Sequence, residues 1–493
     1  MKSFTKTSWI LPALGVVYAA LFYHTEAGIN LLLFDALLLL LTLRKRPELV
    51  SHRAFVWAVA GLLFAAGCVV VVNGSAAVFA HHFTYLLVLG FAQARELRFV
   101  LYGLLLGAIT VCRGPVQWLR ARAARREAGM PQQRGPGVKR VLLYGIPTVL
   151  LLTIFGSLYL TANEQLAAGL SNLMSRFDGW QLDGSVVRFG VLAGFGALLV
   201  VGLLYPRRSL SRLAAHEGGF RDYLERRRPV PRRDFPDGAG NRSATPPSHG
   251  RTIGLRDEYR TAILVFGALN LALAAVNVTD LVHVWGGMTE RSAAVLSHYV
   301  HVGTWNLVAA VALAMVVVLY FFRANLNFWP QDRVLRPLAR VWLAQNAFLT
   351  LSVGARNYHY VDAYGLAYGR VYVAFMLLLV LFGLYTLWRK LDQRLTLTYL
   401  LQANGLATWL LLLAFGAVNW SGAITRYNLA TQEPDRIDWY YLTHGLDARN
   451  TFLLLDHPES GVLKLYRSGI EYHRPADWRS WNYADWRNVR ALE

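Results

Sequence analysis

Apolar residues in this chain come as long uninterrupted runs, not as the alternation of a half-buried strand or the stripe of a surface helix. An α-helix needs about 20 largely apolar residues to cross the roughly 30 Å hydrocarbon core of a bilayer. Runs near that length predict spans at Trp9–Tyr23, Ile29–Leu43, Ala54–Val72, Ala76–Ala94, Phe99–Cys112, Val141–Thr161, Val186–Tyr205, Thr261–Leu281, His298–Phe322, Leu338–Val353, Arg370–Trp388 and Thr398–Val418. Trp9, Trp57, Tyr144, Tyr205, Tyr320 and Trp388 lie toward their ends, where an interfacial aromatic belt places such residues. The predicted fold class is therefore all-α: a polytopic transmembrane helix bundle of about 11–12 spans with a small extracytoplasmic helical C-terminal tail.

The polar segments divide the chain. Residues 1–112 hold the N-terminal transmembrane helices, and 113–140 form a basic cytoplasmic loop. Residues 141–205 are a transmembrane pair joined outside by an amphipathic helix at 161–182. In that helix Leu166, Leu170, Leu173, Met174 and Phe177 share a face, and Thr161-x-x-Glu164 resembles a capping box. Residues 206–256 are a second basic cytoplasmic loop, partly disordered by its Pro, Arg, Gly and Ser content. A C-terminal transmembrane bundle follows at 257–418, and 419–493 form the extracytoplasmic tail, whose last helix is expected to carry Trp478, Trp481 and Trp486. Gly103-x-x-x-Gly107 and Gly190-x-x-x-Gly194 have the small-residue spacing of close helix packing.

Charge turns this pattern into a topology. The chain has 493 residues, 55% hydrophobic and 16% charged, with 50 Lys+Arg against 30 Asp+Glu. A soluble protein would carry about 25% charged residues. Loops 113–140 and 206–256 hold eight Lys/Arg against one Glu and twelve Arg against five acids, whereas the tail has nine bases and ten acids. The basic excess marks the cytoplasmic side of an inner (plasma) membrane and is no nucleic-acid footprint. Between Arg44–Arg46 and Arg113 lie three apolar segments, an odd number. The short Phe99–Cys112 run is thus expected to be re-entrant or interfacial, unless one basic loop breaks the rule. Lys2 and Lys6 precede the first run with no small-residue cleavage site, so that run is expected to stay as a span. Two cysteines, Cys68 and Cys112, exclude a disulfide framework and a cysteine-rich metal site.

Polar residues within apolar runs are costly unless partnered. Asp35 is the one acid deep in its run and reads either as a proton or cation site or as the partner of an Arg or His on a neighbouring helix. His81 and His82 are adjacent, about 100° apart on a helix, and chelate a metal poorly. His298 and His301 share a face; with Asn270, Asn277, Asp280 and His283 they form a polar pocket, a metal site or a structural network. The segment from Arg356 to Arg370, with Asp362 and Tyr364, is the densest polar and aromatic cluster. It is expected at the outer face as a turn held by tyrosines, or as a site where Arg370 meets an anionic headgroup, Asp362 or a carboxylate ligand. Gln345, Asn346 and Asn404 add hydrogen-bonding capacity within the bundle, and Asn419 and Asn428 follow the last run. No Walker A, HExxH, CxxC, GxSxG or dinucleotide-binding pattern occurs, and no cofactor or metal is expected.

The second half carries a set of recognisable motifs. They are Tyr259-Arg260, His301-Val-Gly303-Thr304, Tyr364-Gly365-Leu366 with Arg370, Val418-Asn419-Trp420 with Arg426-Tyr427-Asn428-Leu429, and Asp438-Trp439-Tyr440-Tyr441-Leu442. In this order and spacing the chain resembles the bacterial polytopic membrane proteins grouped as domains of unknown function of the four-one-five-three and four-one-seven-three types. The resemblance covers roughly 255–493 and, more loosely, the Asn30 region. It implies a polytopic topology in a bacterial membrane and no particular reaction. Its members usually place Thr after Tyr-Gly-Leu, where this chain has Ala367.

Three function classes follow. A non-catalytic protein would sense, scaffold or regulate through its tail. A secondary transporter or channel for a small polar or ionic solute would use Asp35, Asn404 and the His298/His301 face. A membrane-embedded enzyme would act on a lipid-linked substrate near Arg356–Arg370. Low mid-span charge and the lack of a nucleophile–base pair within one segment favour the first. The expected partners are membrane lipids, with anionic lipid at the basic loops, and unknown proteins, with no nucleic acid.

Overall fold

The computed structural model describes residues 10–93, 97–112, 184–204, 222–224, 255–286, 309–310, 313–322, 325–328, 333–461 and 477–492. Among these the fold is all-α. There is no strand, only an antiparallel bridge between Tyr223 and Leu395. Five helices are long and apolar enough to cross a membrane: Arg53–Val71, Ser185–Leu204, Arg256–Trp285, Tyr368–Gln393 and Leu397–Gly416. The predicted span Val141–Thr161, the amphipathic helix at 161–182 and most of the two basic loops lie outside the described residues.

The chain forms two compact units. The first contains residues 1–218, 415–417 and 471–493; the second contains 219–414 and 418–470. The tail is therefore shared, with 418–470 built into the second unit and 471–493 into the first.

In the first unit, α1 (Ile10–Phe22) and α2 (Ile29–Lys45) form a hairpin, followed by α3 (Arg53–Val71) and α4 (Ser75–Phe91). Next come α5 (Val100–Cys112) and α6 (Gly184–Leu204). Small residues decide where helices touch. A Cβ on Gly90 would overlap the backbone carbonyl of Gly103, and one on Gly107 would overlap that of Leu86. So α5 folds back antiparallel on α4, in backbone contact through the Gly103/Gly107 pair. At 13 residues, α5 is about 20 Å long, short of the hydrocarbon thickness. Gly15 of α1 meets Ala193 of α6 and Gly196 meets the Tyr18 ring, whereas Gly190 and Gly194 have no close neighbour among the described residues.

Arg46, only 8% exposed, binds the helix ends at the base of this unit. Its guanidinium donates to the carbonyls of Ala92, just past α4, and Leu203 of α6. Both carbonyls sit at helix C-termini, where free oxygens and the helix dipole favour a cation. At the opposite end of the α1–α2 hairpin the last stretch of chain is stitched in. Arg479 donates to the Ala20 carbonyl, and the Ile29 amide donates to the Trp481 carbonyl at 3.0 Å. Trp478–Ser480 is a 3-10 turn and Trp481 follows it as a connector, so of the three tryptophans only Trp486 lies in the final helix, Tyr483–Leu492.

The second unit packs α7 (Leu255–Asp280, continued by a π-turn Leu281–Trp285), α8 (313–321), α9 (Leu335–Tyr364), α10 (Tyr368–Gln393), α11 (Leu397–Gly416) and α12 (Trp420–Thr431). Its core is apolar, centred on Phe266, Phe322, Leu335, Leu343, Leu387 and Leu391. A polar seam joins α7 to α9, with Asn270 donating to the Leu338 carbonyl (3.0 Å) and Gln345 to Asn270 Oδ1 (2.8 Å). Asn277 donates to the Gln345 carbonyl (3.2 Å) and Trp285 to Ser352 Oγ (3.1 Å). In apolar surroundings each bond answers a group that would otherwise stay unsatisfied. The predicted span Leu338–Val353 thus lies within a 30-residue helix that runs on through the polar cluster to Tyr364.

Replacing Gly107 by Leu is expected to cost about 1–3 kcal/mol, because the new side chain must force the α4 and α5 backbones apart. Gly190→Leu is expected to leave stability unchanged. Thermal unfolding of the purified variants in detergent checks both; equal melting of the two would show that α4 and α5 are not in backbone contact.

Candidate functional site

The motif residues of the second half gather at the turn between α9 and α10. Helix α9 ends at Tyr364, Gly365 turns the chain with φ +76°, and Leu366 and Ala367 lead into α10. Glycine is required here twice over. Its φ disfavours any L side chain, and a Cβ would stand 2.7 Å from Asn428 Oδ1.

Asn428, on α12, clamps that turn. Its Oδ1 accepts from the Leu366 amide, and its Nδ2 donates to the Leu366 carbonyl at 2.9 Å. One side-chain amide thus satisfies both backbone groups of a residue outside regular structure. Tyr441 acts two residues on, its hydroxyl accepting from the Tyr368 amide at 2.9 Å. Ala367 occupies the N-cap of α10 and offers no side-chain oxygen, and the Tyr368 amide, at the first helical position, has its acceptor in the tail. Burial pushes the Tyr441 phenol above its ordinary range, which keeps it a neutral hydroxyl at physiological pH. Tyr368 in turn meets Ser421 Oγ at 2.9 Å.

The rest of the tail is braced from within. Asn419 caps α12 by accepting from the Gly422 amide (3.0 Å) and donates to the Arg449 carbonyl (3.2 Å). Asn450, buried, donates to Thr425 Oγ1 and to the Leu442 carbonyl, both at 2.8 Å. Gln432 donates to the Asp362 carbonyl at 3.3 Å.

Arg370 lies three residues into α10. Its Nη1 donates to the carbonyls of Tyr364 (2.8 Å) and Gly365, tying off the C-terminus of α9. Its guanidinium lies 3.9 Å above the Tyr360 ring. Among the described residues it makes no ion pair, with Asp362 or any other acid, and its buried Nε has no acceptor. Two grooves open beside it. One, of about 390 Å³, runs past Asn357, Tyr358, Val371, Ala374, Phe375 and Trp420. The other, of about 250 Å³, is lined by Tyr364, Asn428, Gln432, Arg436, Asp438 and Tyr441.

The other candidates lie elsewhere. Asp35, 2% exposed, meets His81 Nε2 at 2.7 Å, and His81 is 3% exposed; the carboxylate has the histidine partner that one of its two readings required. Asp280 is ion-paired with Arg356 across the α7–α9 seam. His283 is exposed and bonds back to the Thr279 carbonyl at 2.9 Å. Asn404 bonds Thr386 Oγ1 and the Leu400 carbonyl, both at 2.9 Å, between α10 and α11. His298 and His301 lie outside the described residues. Among the described residues no three His, Cys, Asp or Glu side chains stand close enough to share a metal ion. Arg46 and Asn450 were not singled out from sequence. Arg46 looked like one of three loop charges, and nothing in the pattern around Asn450 marks it as buried.

Fold and site together define a helical membrane protein with several apolar spans, in which the turn between α9 and α10 is clamped by Asn428 and Tyr441. The chain belongs to the family described as a domain of unknown function, DUF4153, whose model matches residues 54–455. That match takes in most of the first unit's helices, well beyond the half that carries the motifs. No curated protein and no solved structure matches the chain.

Asn428→Ala leaves both polar groups of Leu366 without this partner and is expected to cost about 1–3 kcal/mol. Thermal unfolding, with faster amide exchange at Leu366, reads the loss; unchanged exchange there would show that the clamp is not formed. In the first unit, Arg479's hydrogen bond holds the Asp477 carboxyl below its usual range. A depressed carboxyl stabilises above its unfolded pKa of about 3.9 and loses that contribution as pH falls through the lower, folded value. Protection of the Arg479 amide, which donates to Asp477 Oδ1 at 3.0 Å, is therefore expected to hold at neutral pH and to fall in acid below about pH 4. Asp477→Asn is expected to abolish that pH dependence.

Proposed function

We propose that this is a non-catalytic multi-pass protein of the cell's inner (plasma) membrane. Its extracytoplasmic tail, held on the ends of two spans, is the surface through which it senses, scaffolds or regulates a partner. One observation carries this reading. Tyr364, Gly365, Leu366, Asn428 and Tyr441 belong to the family-like motifs, and they build a rigid joint between tail and spans, not a reactive constellation.

The orientation rests on two independent supports. In the first unit the segment around Arg479 docks at the α1–α2 turn, and Arg44 and Lys45 lie at the other end of α2. In the second unit Asn428 and Tyr441 dock at the N-terminal end of α10, and Arg389, Lys390 and Arg394 lie at its other end. Basic span ends mark the cytoplasm, so each arrangement supports an outside tail.

A second reading, a secondary transporter or channel for a small polar or ionic solute, is favoured by the Asp35–His81 pair. A carboxylate and an imidazole in contact within apolar helices can pass a proton. Asp35→Asn would then abolish proton-coupled solute uptake into proteoliposomes while the protein stays folded; a variant that merely unfolds would mark the pair as structural.

The main reading is tested in a background with Cys68 and Cys112 replaced by Ser. Asp456→Cys is expected to react with a membrane-impermeant maleimide from outside intact cells, and Gln393→Cys only after permeabilisation. The reverse pattern overturns the orientation. A photoreactive residue at exposed Tyr440 is expected to give a discrete crosslinked species that Asn428→Ala abolishes; the same products from both variants would remove the joint from the function.

A further inference from the structure

The larger groove beside Arg370 has a polar mouth and an apolar floor. At the mouth, the buried Nε of Arg370 lacks an acceptor. Asn357 is 7% exposed; its Nδ2 donates to the Arg370 carbonyl at 3.1 Å, while its buried Oδ1 has no donor. One groove thus holds an unanswered cationic donor and an unanswered acceptor, a combination that costs free energy while both stay empty. Arg370 is fixed by two carbonyls on one side and by the Tyr360 ring on its face, so its guanidinium is held beside the groove without further ordering.

The floor descends along α10 past Val371, Ala374 and Phe375, with Trp420 edge-on to Phe375 at 5.5 Å. From Arg370 to Phe375 the helix falls about 7 Å toward the middle of the span. A charged mouth at the level of the span's end above an apolar channel has the polarity of a lipid. A free phosphate ion would leave the floor unfilled.

We propose that this groove binds one anionic glycerophospholipid of the surrounding bilayer. Its phosphate meets Arg370, a headgroup hydroxyl donates to Asn357 Oδ1, and an acyl chain lies along Ala374 and Phe375. The assignment rests on the membrane setting and not on the tail's action as a partner surface. It concerns the outer ends of α9 and α10, away from the basic loops where electrostatics alone would gather anionic lipid.

The full-length protein is titrated in detergent with phosphatidylglycerol or phosphatidylcholine, and retained lipid is counted by native mass spectrometry. One phosphatidylglycerol is expected per chain, held at least about tenfold more tightly than phosphatidylcholine, whose phosphate can also meet Arg370 but which has no headgroup hydroxyl for Asn357 Oδ1 and brings a quaternary ammonium toward the guanidinium. Arg370→Ala is expected to weaken retention of both lipids, because each presents a phosphate to the guanidinium. Because Arg370 also ties off α9, a second variant, Ala374→Trp, fills the floor at an exposed position and leaves the turn intact; it is expected to weaken phosphatidylglycerol at least about tenfold with unchanged melting. Equal retention of the two lipids overturns the proposal, as does wild-type retention by Ala374→Trp. Displacement of the lipid by water-soluble glycerol phosphate at equal concentration overturns the lipid assignment in favour of a headgroup-sized solute.

Discussion

Hydrocarbon offers no hydrogen bonds, so each polar group placed in an apolar span must find its partner within the protein. That constraint organises both units. Asp35 takes His81, Asp280 takes Arg356, and Asn404 takes Thr386 together with its own helix. Arg46 gathers the free carbonyls at two helix ends, and the α7–α9 seam is a succession of amide and indole bonds. Removing one member of a buried ion pair strands the other, which costs about 3–5 kcal/mol. The pairs therefore fix which helix faces which neighbour more strictly than apolar packing does, since one leucine surface resembles another.

The joint at residues 364–368 applies the same rule at the edge of the membrane. A sharp turn between two long helices leaves amides and carbonyls with no helical partner. Here they are answered from outside the turn by Asn428 and Tyr441, and from inside it by Arg370. The tail is not an appendage that happens to rest on the spans; the turn's backbone is incomplete without it.

Much of the helical layout was legible in the apolar runs, because a helix that must be apolar along its length announces itself. Ala54–Val72 differs by one residue at each end from the helix Arg53–Val71, and Gly103 and Gly107 do pack backbone on backbone. Gly190 and Gly194 have the same spacing and, among the described residues, no close neighbour, since spacing shows that close approach is possible and not that a partner is there. The extension of α9 to Tyr364 was hidden because polar and aromatic residues end an apolar run without ending a helix. Pairings were the least legible. Asp35 and His81 are 46 residues apart and Leu366 and Asn428 are 62 apart, and no local pattern encodes which distant partner answers a given group. The residues around Arg370 were visible as a cluster, but the grooves beside them depend on three helices meeting.

The contact of Arg479 with the Ala20 carbonyl joins residues 459 positions apart. A membrane chain is threaded into the bilayer from its first span onward, so α1 and α2 are in place long before the segment that closes their turn has been made. At about 5–20 residues per second, that wait is tens of seconds. During it the α1–α2 hairpin must persist with that turn unlatched, until residues 477–481 have been made. A nascent chain that stalls before residue 477 therefore carries α1 and α2 without the two hydrogen bonds that close their turn.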